Sequence, residues 1–196
     1  MKTITFIRHG KPIIWNQYSP FSMISSKKIG EILISYDRSD VEHHIKNEQK
    51  LVAFIKKGDL FLSSNLTRTH KSFELLGITE YKTNNLLNEA RLPSDIMPVD
   101  IKLPLFTWAF LLRILWLLGY HNNTCESLKE FKNRMDQAVQ YLEGETDTFN
   151  HIIIMAHGFV NFFMIRKLLK KGWKKTTSSI TKKFWSYTQI AINQNI

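Results

Sequence analysis

Short apolar runs of strand character alternate along this chain with stretches of helical periodicity, and that alternation restricts the fold more than any other feature. Residues 4–7, 60–62, 152–155 and 184–192 read as strands, with a weaker one at 81–87. Between them, residues 27–36, 41–56, 66–76, 126–143 and 159–169 space their apolar side chains three and four apart, as helices do. Strands joined through helices form a mostly parallel central sheet covered on both faces, a three-layer α/β/α sandwich. At 196 residues the chain suits a single domain, 1–196, with one lid-like apolar insertion at about 93–124.

In such sheets ligands bind beyond the carboxyl ends of the strands. The first strand runs into Arg8-His9-Gly10 and the second into Ser63-Ser64-Asn65-Leu66-Thr67-Arg68. The third leads to Asn88-Glu89-Ala90-Arg91, and the run 152–155 to Ala156-His157-Gly158. Together these ends supply arginines, histidines and a glutamate. Arginine grips a phosphoryl dianion through a planar fork. Histidine attacks phosphorus through one ring nitrogen when the other is held protonated. A carboxylic acid can protonate the leaving oxygen. Gly10 is expected to turn the backbone tightly beside the ligand. The set suits covalent phosphoryl transfer without a metal.

FIRHG, then SSNLTRTHKS, NEARLP and IIMAHG, in this order, resembles the histidine phosphatase superfamily, whose fold is phosphoglycerate-mutase-like. The likeness runs from residue 4 to about residue 192. It implies that His9 is the nucleophile, that Arg8 and Arg68 bind the phosphoryl group, and that His157 is the second catalytic histidine. Glu89 resembles the proton donor of the branch that carries its acid in mid-chain, because Gly158 and Phe159 follow His157. Asn16 is matched to an asparagine that touches phosphate. The implied activity is hydrolysis of a phosphate monoester through phosphohistidine. A mutase-like phosphotransferase and a non-catalytic phospho-ligand binder are the alternatives. Lys11-Pro12 and residues 88–125 depart from the mutases, so the resemblance names no substrate.

Composition adds limits. With 27 Lys+Arg against 17 Asp+Glu, the formal charge is +10, which favours anionic partners. A nucleic-acid reading explains that charge but not the strand ends, and no recognition motif of that class is present. The one cysteine, Cys125, cannot form an internal disulfide and points to the cytoplasm. It is no phosphatase nucleophile, because the arginine needed six positions on is replaced by Phe131. The first apolar run breaks at Arg8, which argues against a secretory signal. No metal-ligand spacing and no cofactor motif is visible. The basic run 166–175 reads as a solvated helix end.

Residues 105–118 are apolar except for Thr107 and Arg113, with Pro104 at a helix start and Gly119 at its end. A bilayer span needs about 20 residues, so this helix is too short to cross. It is expected to be a core helix or a buried lid near the pocket mouth, a subunit contact, or a peripheral membrane contact through 104–118. Its tryptophans, Trp108 and Trp116, are expected to meet an apolar part of the substrate or lipid.

Overall fold

The first strand, β1 (Lys2–Arg8), is buried along almost its whole length, because it lies inside a sheet that is covered on both faces. In the computed structural model, residues 1–43, 48–94, 100–179 and 183–193 are described, with 48–50 as backbone only. After β1 a 3-10 turn at Ile13–Asn16 leads to β2 (Met23–Ser25) and α1 (Ser26–Arg38), capped by the Ser25 hydroxyl. Next come α2 (Glu48–Ile55), β3 (Leu60–Ser63), α3 (Thr67–Leu75) and β4 (Lys82–Thr83). The insertion contributes β5 (Lys102–Pro104) and α4 (Leu105–Leu117). The chain then forms α5 (Leu128–Thr148), β6 (His151–Ala156), α6 (Gly158–Lys170), β7 (Lys174–Ser178) and β8 (Tyr187–Ile192).

The main sheet has the order β4-β3-β6-β1-β8-β7. β4, β3, β6 and β1 are parallel, while β8 runs against β1 and β7 against β8. Side chains alternate between its faces, as the two-residue strand period requires. Ile4, Phe6, Ile152 and Ile154 pack with α5 and α6 through Phe131, Met135, Val160 and Met164. Ile7, Ile153 and Met155 pack on the other side against Leu51, Phe73 and Trp185. A third cluster joins α1 to α4, with Ile29 and Ile32 against Trp108 and Leu112.

Several expected elements change. The strand expected at 81–87 is only Lys82–Thr83, followed by a 3-10 turn at Asn85–Leu87. The helix expected at 41–56 is seen from Glu48, with Val41 bridged to Pro12; residues 44–47 lie outside the described part. α5, expected over 126–143, runs from Leu128 to Thr148. Its cap is Ser127, which accepts from Glu130 N while the Glu130 carboxylate accepts from Ser127 N. The basic run 166–175 is only partly a helix end, because Lys174 and Lys175 open β7. Charged side chains suit an exposed edge strand, where they oppose pairing with another chain. β2 and β5, a separate antiparallel ribbon, were not anticipated.

α4 is neither wholly buried nor wholly exposed. Leu105, Trp108, Leu112 and Trp116 face inward, and both indole N–H groups are satisfied: Trp108 donates to Ile24 O and Trp116 to Glu126 O, each at 2.7 Å. The tryptophans expected to meet substrate or lipid are therefore core residues. Phe106, Phe110, Ile114 and Leu117 stand on the other side, in solvent. Trp116→Ala should then cost about 3–5 kcal/mol, the range for truncating a buried large aromatic. Phe110→Ala should change stability by less than about 0.5 kcal/mol, as expected of an exposed position. Urea unfolding of the two variants checks both values.

Candidate active site

Register brings the site together. β1 and β6 pair Arg8 with Ala156, and β3 and β6 pair Ser63 with Met155. Three neighbouring parallel strands thus end almost level, and the next residues, His9, Ser64 and His157, become neighbours. His9 N still donates to Ala156 O, and Ser64 N to Met155 O. The imidazoles of His9 and His157 lie with ring centroids 5.1 Å apart. Arg68 enters from the first turn of α3, and its Nε donates to His9 Nε2 at 3.3 Å.

His9 has one readable tautomer. Its Nδ1–H donates to Gly10 O at 2.7 Å, which leaves the Nε2 lone pair facing Arg68. His157 Nε2 shares a 2.8 Å hydrogen bond with Ser64 Oγ, while its Nδ1 is buried without a hydrogen-bond partner. Arg68 Nη2 is buried without one as well. Its Nη1 is engaged by Tyr36 O, Asp37 O and Asp37 Oδ1, the last at 3.1 Å. Asp37 also faces Arg91 Nε at 3.4 Å. Arg8 lies 4.4 Å over the Phe184 ring and close against Gly158, where an added Cβ would sit 3.4 Å from Arg8 Nε.

Gly10 serves a different purpose from the tight turn expected of it. Its φ is not among the positive values, but a Cβ there would lie 2.6 Å from Trp185 Cζ2. Glycine is required because the indole occupies the space of any side chain. Gly10 N also donates to Ser72 Oγ, which in turn donates to Arg68 O, so the loop after β1 is tied to α3.

His9, His157 and Arg68 are each at most 1 % exposed. Burial, then the charges of Arg68 and Arg8, hold His9 well below the usual imidazole range, against the opposing bond to Gly10 O. Burial acts first on His157 too, followed by Arg68 and His9. Both rings are therefore neutral near pH 7, which leaves His9 Nε2 free to act as a base or nucleophile.

Glu89 is half-buried and its Oε1 accepts from Ala90 N at 3.0 Å. It lines a cavity of about 570 Å³ with Tyr36, Asp37, Arg91 and Arg113. Tyr36 joins this cavity to the histidines: its ring lies 4.5 Å from the Arg68 guanidinium and 6.5 Å, edge-on, from His9. Arg91 turns toward Asp37 rather than toward Glu89. Asn16 is exposed, and its Oδ1 accepts from Lys11 Nζ. None of the hydrogen bonds described brings Asn16 to the histidine and arginine cluster.

Sequence reasoning missed the residues that hold this arrangement. Arg134 of α5 donates to Leu86 O and Asn88 O and pairs with Glu126, fixing the segment that presents Glu89. Arg113 of α4 donates to Ala90 O from the other side and stacks on Phe159. Tyr36 and Asp37, at the end of α1, carried no signal beyond helical periodicity. Among the described residues, no three His, Cys, Asp or Glu side chains cluster as a metal site would need.

A profile of the histidine phosphatase superfamily (branch 1) matches residues 45–194. The chain belongs to the histidine phosphatase superfamily. The matched span includes Arg68, Glu89 and His157 but begins after His9, which the fold returns to their side. Solved structures share the fold across nearly the full length. The alpha-ribazole phosphatase of Shigella flexneri is 15 % identical with a TM-score of 0.58, covering 98 % of this chain and 91 % of its own. The phosphoserine phosphatase of Entamoeba histolytica is 16 % identical with a TM-score of 0.58, at 99 % and 92 % coverage. A mycobacterial glucosyl-3-phosphoglycerate phosphatase is 16 % identical with a TM-score of 0.56, at 100 % and 92 %. No curated protein matches the chain in sequence.

The buried histidines set a pH dependence of stability. Their folded pKa values lie below the unfolded value of about 6.5, so below that pH the unfolded chain binds more protons. The stability they confer is complete above pH 6.5 and is lost as pH falls toward the folded values. Between pH 7 and pH 5, the unfolding midpoint of the wild type should fall more steeply than that of the His9→Gln, His157→Gln double variant. Parallel slopes in thermal melts would remove the histidines as the cause.

Proposed function

We propose that the protein hydrolyses a small phosphate monoester through a phosphohistidine at His9. The observation that carries this reading is the His9 ring itself: neutral, held by Nδ1–H on Gly10 O, with Nε2 turned to Arg68. Arg8, Arg68 and His157 would bind the three phosphoryl oxygens, and the buried Arg68 Nη2 and His157 Nδ1 lack any other partner. His9 Nε2 forms the N–P bond as the P–O bond to the substrate alcohol breaks. Glu89 gives its carboxyl proton to the departing oxygen. Water then attacks phosphorus, Glu89 takes a proton back, the N–P bond breaks, and phosphate leaves. No step calls for a metal ion.

The superfamily supports hydrolase activity, and the solved relatives are named for alpha-ribazole, phosphoserine and glucosyl-3-phosphoglycerate. Tyr36 and Phe184 flank the His9 ring, with centroids 6.5 and 5.6 Å away. Tyr36 also walls the cavity that holds Glu89, which makes that side the entry. Leu33, Ile34, Leu66 and Leu92 line the same cavity and suit a leaving alcohol with an apolar part. The α4 insertion, through Arg113, forms part of its wall as a lid would. A single cysteine agrees with work in the cytoplasm.

A denaturing quench at alkaline pH during turnover should leave phosphate on His9 that resists alkali and is lost in acid, and chelators should not slow turnover. Wild-type activity in His9→Ala would end the proposal. A second test separates proton donation from binding. Glu89→Gln should slow alkyl phosphates by about 10²–10⁴-fold in single turnover, yet slow nitrophenyl phosphate much less, since that leaving group needs little protonation. Equal losses on both would assign Glu89 to binding.

A further inference from the structure

Outside the active site, the largest unexplained feature is the outer face of α4. Phe106, Phe110, Ile114 and Leu117 follow at helical spacing, and Leu118 continues the stripe beyond the last turn. Phe110 is 63 % exposed and Leu118 80 %. The ribbon extends the stripe. Phe21, 74 % exposed, meets the Phe106 ring edge-on at 5.6 Å. Met23 pairs with Pro104 and points away from the buried side of Ile24, into solvent. At about 200 Å² per large side chain, these residues leave several hundred Å² of apolar surface in water. That reaches or exceeds the ~300–600 Å² of the largest patch on a typical monomer, and patches of this size mark an interaction surface.

Charge selects the partner. The chain has no Asp or Glu before Glu31, and none between Asp100 and Glu126. These are the two segments that build the stripe. They contribute Lys27 and Lys28, exposed in the first turn of α1, and exposed Lys102, paired with Ser25 on the ribbon. The carboxylate at the ribbon's end, Asp100, is engaged by the Ser25 hydroxyl. An apolar strip bordered by lysines matches a lipid interface with anionic head groups. A twofold contact with a second copy would set these lysines against their own images. α4 spans only about 20 Å, at 1.5 Å per residue, and no described helix is long and apolar enough to cross a membrane.

We propose that the outer face of α4, together with Phe21 and Met23, docks this protein onto an anionic phospholipid surface. Contact is peripheral: the phenylalanines and leucines enter the head-group boundary while Lys27, Lys28 and Lys102 meet the phosphates. The proposal does not depend on the hydrolytic mechanism, because none of these residues belongs to the catalytic cluster.

The test is flotation of the full chain with vesicles of phosphatidylcholine alone or with about one-third phosphatidylserine. Wild type should float with the anionic vesicles at low salt, and much less with neutral ones. Phe106→Ser, Phe110→Ser, Leu118→Ser combined should reduce partition by more than about tenfold. Lys27→Gln, Lys28→Gln, Lys102→Gln combined should reduce it by about 10²-fold at low salt. Both variants should keep wild-type circular dichroism and activity on a small soluble ester. Failure of wild type to float with anionic vesicles would overturn the proposal, as would equal flotation of the folded serine variant. Gel filtration showing a wild-type dimer that the serine variant converts to monomer, without vesicle binding, would identify a second copy as the partner instead.

Discussion

β3, β6 and β1 end level with one another, and the site depends on that alignment more than on any single side chain. The pairs Arg8 with Ala156 and Ser63 with Met155 are backbone facts, fixed by ladders whose side chains are buried on both faces. A slip of one residue in either ladder would turn every side chain of a strand to the opposite face of the sheet. It would bury the wrong residues and part His9 from His157 in the same step. Core packing and site geometry are therefore enforced by one constraint. The expense falls on the groups at the strand ends, which lose water: His9, His157 and Arg68 are buried, and the imidazoles stay neutral.

The loop after β1 shows how closely packing and chemistry are joined. Gly10 yields its side-chain space to Trp185, while its carbonyl fixes the His9 tautomer. Trp185 itself has φ 61°, in the left-handed region that few residues other than glycine adopt. Such a conformation costs on the order of 1–3 kcal/mol and persists only where its surroundings enforce it. Here the enforcement is visible: Trp185 N donates to Arg8 O, and the indole is buried over Gly10. Phe184, the preceding residue on the same turn, covers Arg8.

The parts legible in the sequence were those that a local pattern announces. Polar and charged residues directly after apolar strands marked Arg8, His9, Arg68 and His157, and the three-and-four spacing of Phe131, Met135, Val139 and Leu142 marked α5. Other features had no such pattern or had a misleading one. β2 and β5 have three residues each, too few to show alternation. Lys174 and Lys175 looked like a solvated helix end because edge strands carry the same charges. α4 is apolar around most of its circumference, so no periodicity distinguished Trp108 from Phe110. The Ser127 to Glu130 capping box is written in the sequence as Ser-x-x-Glu, a signal that periodicity alone does not use. Asp37 reaches Arg68 across 31 residues and Arg134 reaches Leu86 O across 48, and nothing in one sequence links such positions.

Asp37 carries a consequence for the end of the proposed catalytic cycle. Its carboxylate lies against Arg68 and leaves one guanidinium nitrogen, Nη2, without a protein partner. An arginine with no counter-ion would hold the released phosphate dianion as firmly as the ester that preceded it, and binding both equally well slows departure without hastening chemistry. With Asp37 beside it, Arg68 would meet the dianion with part of its charge already balanced, and the carboxylate would repel any oxygen that moved toward Nη1. On the proposed mechanism, the acid at the end of α1 would weaken the grip on inorganic phosphate and favour product release.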